Sequence, residues 1–166
     1  MKLTKLFLVV ATFGAMLVVS DSAARADSNS GTFTVTAAVV AKCTIDTTTA
    51  NIDFGSYDAF ATQDYAQSGD VVVACTKNAP NLKIALSGGS NYDTVSKLNQ
   101  MASGTERLKY GLYQESGHTT AWHNASRDIS SVGKAGVTYT IYGLAKAQQD
   151  VGVGSYSDTV TATINF

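Results

Sequence analysis

Hydrophobic and polar residues alternate along a stretch near the start of the chain, residues 31–41. One side of an extended chain would carry Phe33, Val35, Ala37, Val39 and Ala41. Alternation with a period of two predicts a β-strand. At a rise of about 3.3 Å per residue the strand would span roughly 36 Å, which is longer than a usual strand. Such a strand needs a sheet edge to pair with, either in its own molecule or in another one.

The same two-residue period recurs further along the chain and predicts an all-β domain. Polar stretches at 56–69, 90–106 and 123–136 are predicted as loops, and no window keeps a helical period for long. About seven or eight short strands joined by long connections in one domain indicate a two-sheet, immunoglobulin-like sandwich. The predicted strands lie at 43–45, 52–55, 71–76, 82–86, 108–112, 119–122, 139–144 and 159–166.

Residues 1–26 have the features of a secretory signal peptide. Lys2 and Lys5 precede an apolar run, and the A-R-A tripeptide at 24–26 has the form of a signal peptidase site. The apolar run is shorter than the roughly 20 residues that span a bilayer. We therefore predict export with cleavage before Asp27 rather than a retained membrane anchor.

The net charge of the chain does not point to a particular class of partner. The predicted signal peptide carries three basic residues and one acidic residue, so its removal changes the net charge from −1 to −3. A weakly acidic surface offers no electrostatic footprint for nucleic acid or anionic lipid. After signal cleavage, no apolar stretch of the sequence is long enough to span a membrane.

Cys43 and Cys75 are the only cysteines in the sequence. In an exported chain two cysteines most simply form one disulfide. A metal pair or a redox pair fits less well, because there is no C-x-x-C spacing and no histidine cluster. The sequence therefore predicts a structural disulfide that ties the end of the opening strand to a central strand.

The histidines and aspartates give no sign of catalysis or metal binding. His118 and His123 are the only histidines, so a serine or cysteine nucleophile would depend on one of them. No G-x-S-x-G element accompanies them, and their separation matches no zinc motif. The aspartates are scattered and form no EF-hand loop. We predict no catalytic residue, no metal site and no cofactor, and an enzyme is the least favoured class.

The aromatic residues allow two interpretations. Trp122 and nearby tyrosines can form a platform for a glycan if they are exposed. In β-rich chains such residues more often fill the core or pair across strands. The core interpretation is favoured, and the glycan platform is the basis of an alternative function.

Several stretches in combination resemble one family, the spore coat protein U family. Its better understood members are subunits of the archaic chaperone-usher pili of Gram-negative bacteria. The resemblance covers essentially all of the chain after the signal peptide. The stretches that carry it are the apolar strand ending in Cys43, I-D-F-G-S-Y at 52–57, V-V-V-A-C-T at 71–76, L-S-G-G at 86–89, L-K-Y-G-L-Y at 108–113, Trp122, T-I-Y-G-L at 140–144 and G-S-Y-S-D-T-V-T-A-T-I-N-F at 154–166.

The resemblance implies an immunoglobulin-like β-sandwich that is incomplete and is completed by a donor strand. A periplasmic chaperone would fill the gap first, and the N-terminal strand of another pilin subunit would replace it during assembly through an outer-membrane usher. Segment 27–42 would be the donor, and 43–166 the incomplete pilin domain. Within them the resemblance implies donor residues Phe33, Val35, Ala37, Val39 and Ala41, and a chaperone-contacting C-terminal strand with Val160, Ala162, Ile164 and Phe166.

On this basis we expect a structural subunit of an extracellular pilus or surface coat. The subunit would pass through the periplasm of a Gram-negative bacterium and assemble with other pilin subunits into a homopolymer or heteropolymer. Because the sequence stops at Phe166, we expect no further strand to close the sandwich. Two alternatives stay open. One is a secreted, adhesin-like binding module, and the other is a coat protein whose opening strand completes its own sheet.

Overall fold

The computed structural model describes residues 26–130 and 132–166. The predicted signal peptide falls almost entirely on residues 1–25 and lies outside this range. Among the described residues there is no helix, and hence none that is long and apolar enough to cross a membrane. Eight strands are present: β1 (Cys43–Asp46), β2 (Tyr65–Cys75), β3 (Lys83–Leu86), β4 (Asn99–Ser103), β5 (Glu106–Tyr113), β6 (Ala125–Asp128), β7 (Val137–Ala145) and β8 (Ala162–Asn165).

The strands form two antiparallel sheets within the compact unit Ala38–Phe166. The larger sheet has the order β1-β2-β7-β5-β4, and the smaller one has the order β6-β3-β8. The core lies between the sheets because the alternating apolar residues of both turn inward. The side chains of Val71, Val73, Ile84 and Trp122 are completely buried. The predicted all-β, two-sheet class is confirmed.

The disulfide lies at one end of the sandwich. Cys43 in β1 stands directly opposite Cys75 in β2, and their sulfur atoms are 2.07 Å apart. The predicted pairing is therefore confirmed. Lys83 and its partner Asn165 lie at the same end, which we call the disulfide pole. The opposite end, where Tyr65 pairs with Ala145, we call the far pole.

Each of the three predicted loops contains a strand, or part of one, that the sequence pattern did not reveal. β2 begins at Tyr65, so the connection predicted at 56–69 is too long; residues 66–68 are exposed, and this part of the strand pairs with β7. β4 lies in the predicted loop 90–106 as a hairpin partner of β5. β6 lies in the predicted loop 123–136 and pairs with β3. Strands 52–55 and 119–122 were also predicted, but neither range is part of a named strand.

Residues 26–42, before β1, form no strand in the structure. The side chains of Phe33, Val35 and Val39 are 88%, 82% and 83% exposed. Ala37 and Ala41 are exposed as well. The prediction that this stretch pairs as a strand with a sheet edge stays a prediction.

Candidate functional site

An open groove of about 1130 Å³ lies over the core between the two sheets. One wall is formed by residues 47–60, which follow β1. The other wall is formed by residues 151–160 together with the start of β8. The floor consists of side chains from the core and its margins: Val71, Leu86, Met101, Leu108, Tyr110, Leu112 and Ile141.

The first wall has the alternation of a strand but lacks a strand's partner. Ala50, Ile52 and Phe54 are half-buried and pack against the core, while the residues between them are exposed. In the part of the chain that the structure describes, no backbone hydrogen bond joins residues 51–56 to another strand. A row of free N–H and C=O groups is a template for pairing with an additional strand.

A glycine in β7 allows the first wall to lie close to the sheet. A Cβ atom on Gly143 would be 2.9 Å from Cγ2 of Ile52 and 3.1 Å from Cζ of Phe54, so any side chain there would push the wall outward. At the far pole the hydroxyl of Tyr57 donates to the carbonyl of Lys146 (2.7 Å) and accepts from the amide of Gln149 (2.9 Å). The I-D-F-G-S-Y stretch at 52–57 and the T-I-Y-G-L stretch at 140–144 therefore pack against each other at Gly143.

The second wall ends in a strand with one free edge. β8 pairs with β3 on one side only and forms the border of the smaller sheet. Val160, Ala162 and Ile164 are half-buried and pack against the core, as their alternation predicted. Phe166 is 52% exposed. Their predicted role in contacting a chaperone stays a prediction.

The Asp158 carboxylate attaches the second wall to neighbouring segments through hydrogen bonds. Its Oδ1 accepts the amides of Ser90 and Thr159, both at 2.8 Å, and its Oδ2 accepts the hydroxyl of Tyr110 at 2.7 Å. Burial, together with the Asp158 carboxylate, raises the pKa of Tyr110 well above its usual value. Gly89 has φ of +74° and leaves no room for a Cβ beside the carboxylate. The S-D-T and S-G-G stretches thus meet at one polar contact.

Trp122 serves the core rather than a binding platform. Trp122 is completely buried, and its indole Nε1 donates to the carbonyl of Ile84 at 3.1 Å. The guanidinium of Arg127 lies 5.4 Å from the Trp122 ring centroid and 5.5 Å from that of Tyr139. The core interpretation of Trp122 is confirmed, and its use as an exposed glycan platform is wrong because the ring does not reach the surface.

The two histidines pack against aromatic rings. The rings of His118 and His123 lie edge-on to Tyr113, with centroids 5.2 Å and 5.9 Å away. Nδ1 of His123 lies 3.1 Å from the backbone nitrogen and 3.0 Å from the carbonyl oxygen of Leu112. Within the described ranges, no three His, Cys, Asp or Glu side chains come together as ligands for a metal ion.

The predicted site residues therefore fall into two groups. Two of the four C-terminal residues, Val160 and Ala162, line the groove and Ile164 packs against the core, whereas the five predicted donor residues are exposed outside any sheet. The first wall was missed as part of the site. The signal for it was present, because the apolar residues Ala50, Ile52 and Phe54 alternate with polar ones just after a strand.

Comparison with known proteins supports a common origin and a common fold. The chain is 29% identical over 172 residues to Protein U of Myxococcus xanthus, covering 95% of this chain and 96% of that protein. Its structure is similar to a chain in the crystal structure of the CsuC-CsuE chaperone-tip adhesion subunit pre-assembly complex, from archaic chaperone-usher Csu pili of Acinetobacter baumannii. The TM-score is 0.54 at 20% identity, covering 77% of this chain but only 40% of that chain.

A second solved structure, of a chaperone-usher pilus, matches with a TM-score of 0.49 at 16% identity and covers 83% of this chain and 96% of that one. The model of the Spore Coat Protein U domain matches residues 29–163. Because this match spans most of the chain, the protein belongs to the Spore Coat Protein U domain family, whose members are structural proteins rather than enzymes.

Proposed function

We propose that the protein is a structural subunit of an extracellular pilus or surface coat and that its groove receives a β-strand from another subunit. The groove itself carries this proposal. Its two walls face one another, each has a free backbone edge, and each turns apolar side chains toward the same core. A single inserted strand satisfies both edges and covers the core, which is β-strand addition.

The stretch around residues 31–41 has the properties that such a strand needs. Its alternation places Phe33, Val35 and Val39 on one side, and all three are exposed in the structure. Burial of each side chain would contribute at most about 1.5 to 3 kcal/mol. Each backbone hydrogen bond to a wall would add about 1 kcal/mol net. A head-to-tail contact that does not close into a ring gives a filament.

The topology favours insertion into another subunit over insertion into the same one. β1 starts at Cys43 on the disulfide pole and runs toward the far pole. For the preceding stretch to lie in its own groove, the chain would have to reverse direction between Ala41 and Cys43. Two-residue reversals require the left-handed conformations that glycine and asparagine adopt readily, and Ala41-Lys42 offers neither residue. This consideration counts against a self-complemented coat protein.

Before assembly the groove requires a temporary occupant, because an open apolar edge is prone to aggregation. We propose that a periplasmic chaperone supplies a strand along Val160, Ala162, Ile164 and Phe166, and that an outer-membrane usher exchanges it for the donor strand. The subunit would be exported by its signal peptide, pass through the periplasm and reside at the cell surface. With Trp122 buried, the adhesin-like alternative loses the observation that motivated it.

A matched pair of substitutions tests this proposal. The full-length chain is co-expressed with its chaperone and usher, and filaments are counted by electron microscopy. Val35→Asp places a charge on the face that enters the groove, so we expect filaments to be lost. Thr34→Asp places the same charge on the opposite face, so we expect filaments to persist. Abundant filaments from the Val35→Asp chain would contradict the proposal.

A further inference from the structure

The two poles of the sandwich carry opposite charge. Lys77 and Lys134 lie at the disulfide pole, and neither forms an ion pair with any residue that the structure describes. Among the residues that are likewise outside the ion pairs of the described chain, Asp58, Glu106 and Asp150 lie at the far pole together with one cation, Arg107, so this pole is acidic in balance. Surfaces of opposite sign attract, whereas two copies of the same pole would repel.

The disulfide pole also carries a hollow of about 760 Å³. Ala79, Leu82 and Val132 are among the side chains that line it. Lys77 and Lys134 belong to the same lining together with Asn78, Asn81 and Ser130, so the hollow combines apolar side chains with polar ones and two cations. A hollow of this kind suits an apolar side chain that has acidic neighbours.

The far pole presents two such apolar side chains at the end of the groove. Phe60 is 92% exposed, and Val153 is fully exposed. Each lies in a segment that is held by a hydrogen bond. Oδ1 of Asp58 accepts the amide of Phe60 at 2.8 Å, and the carbonyl of Gly152 accepts the hydroxyl of Tyr156 at 2.7 Å. The backbone next to each exposed side chain is therefore held by a hydrogen bond, and Asp58 and Asp150 lie two and three residues before Phe60 and Val153 in the chain.

The linker between the donor strand and its own domain is short, so the disulfide pole of the donor subunit must lie close to the far pole of the subunit that accepts the strand. Only Lys42 separates Ala41 from Cys43, and the amide of Lys42 donates to the Thr76 hydroxyl at the disulfide pole (3.1 Å). Two chain steps span at most about 7 Å. Every strand pair in the two sheets is antiparallel. A donor strand antiparallel to β8 ends at the acceptor's far pole.

We propose that consecutive subunits dock pole to pole, with Phe60 and Val153 of one copy entering the hollow of the next. Lys77 and Lys134 then face Asp58 and Asp150 across the contact. This inference rests on the proposed strand exchange and adds a second point of attachment to it. One attachment alone leaves a flexible joint, while two fix the angle between neighbouring subunits and stiffen the filament.

A cross-link tests the contact directly. Phe60→Cys and Ala79→Cys are introduced together into the full chain, filaments are assembled with chaperone and usher, and mild oxidation is followed by non-reducing electrophoresis. We expect a ladder of covalent oligomers. The matched control replaces Phe60→Cys by Val95→Cys, which is 90% exposed on the loop between β3 and β4, and should give no ladder above background. Filaments whose Phe60→Cys ladder is no stronger than this control would overturn the docking.

Charge reversal supplies an independent readout. Lys77→Glu with Lys134→Glu should leave filament formation intact but lower the persistence length several-fold, and adding Asp58→Lys with Asp150→Lys should restore it. Unchanged stiffness in the first variant would overturn the pole contact while leaving strand exchange in place. If the unaltered chain with chaperone and usher forms no filaments, strand exchange itself fails, and the docking that rests on it fails as well.

Discussion

Both halves of the sandwich have a buried core, but they differ in whether the segments that cover it are paired with one another. In the closed half, around Trp122 and Ile84, the core is fully buried and the indole nitrogen has a backbone partner. In the open half, Leu86, Leu112 and Ile141 form the floor of a groove whose two walls do not pair with one another. The closed half is stabilised by its own chain. Under the proposed function, the open half is one strand short and is completed by a strand from another subunit.

The largest expected effect is the loss of folding stability when the closed half is disrupted. Trp122→Ala removes a completely buried ring and leaves the carbonyl of Ile84 without its donor, so we expect unfolding to become easier by about 3 to 5 kcal/mol. Denaturant unfolding of the purified subunit measures this. Phe60→Ala, at a fully solvated apolar position, is the control and should stay within about 0.5 kcal/mol. A small effect at Trp122 would contradict the closed-half description.

Removal of the disulfide should come next. Cys43→Ser with Cys75→Ser opens a loop with a sequence separation of 32, which costs about 3 to 4 kcal/mol in the chain-entropy model. Because β1 begins at Cys43, the first wall should also lose order, and exchange of its amides should accelerate. Equal stability with and without reductant would show that the bond does not anchor this edge.

Gly143→Val should disturb the first wall of the open half and leave the closed half unchanged. The added side chain would collide with Ile52 and Phe54, so it should displace the first wall at a cost of about 1 to 3 kcal/mol. Binding of a peptide with the sequence of residues 31–41 should weaken, while the near-ultraviolet circular dichroism of Trp122 should not change. Gly117→Ala is the control for the loss of a glycine, because it lies in a turn and an added Cβ would be 3.9 Å from its nearest neighbour. Unchanged peptide binding would contradict the role given to the first wall.

The smallest expected effect is a dependence on pH near the closed half. Glu115 accepts hydrogen bonds from the side chain of Thr119 and from the amides of Thr119 and Thr120, which lowers its pKa to about 2. A lowered pKa stabilises the fold above the ordinary carboxyl value of about 4.5, and that contribution is lost as the pH falls toward 2. Glu115→Gln should show a shallower loss of stability over this range in unfolding experiments. Parallel profiles for the two proteins would contradict this assignment.

The sequence predicted the parts of the fold whose signal is local. Leu82, Ile84 and Leu86 alternate because one side of β3 faces the core, and all three are buried. β4 was missed because its residues N-Q-M-A-S have no apolar alternation. It is a strand because it pairs with β5, and buried Asn99 hydrogen-bonds to the Tyr110 hydroxyl at 3.2 Å. Pairing between distant segments leaves no such local signal.

The candidate site was predictable only in part for the same reason. The alternation of Val160, Ala162 and Ile164 predicted which side chains turn inward; all three pack against the core, and the first two line the groove. The groove itself depends on two segments about a hundred residues apart in the chain that face each other without pairing. Periodicity shows which side chains turn inward. It does not show which strand edge stays free.

Hydrogen exchange on the chaperone-free subunit, with and without a peptide of residues 31–41, tests the central claim most directly. We predict that amides of residues 51–56 and the free edge of β8 exchange rapidly in the empty groove and become strongly protected when the peptide is added. Amides around Ile84 and Trp122 should be protected in both states. If the peptide binds without slowing exchange at either wall, or if both walls are already protected without it, the groove does not accept a donor strand.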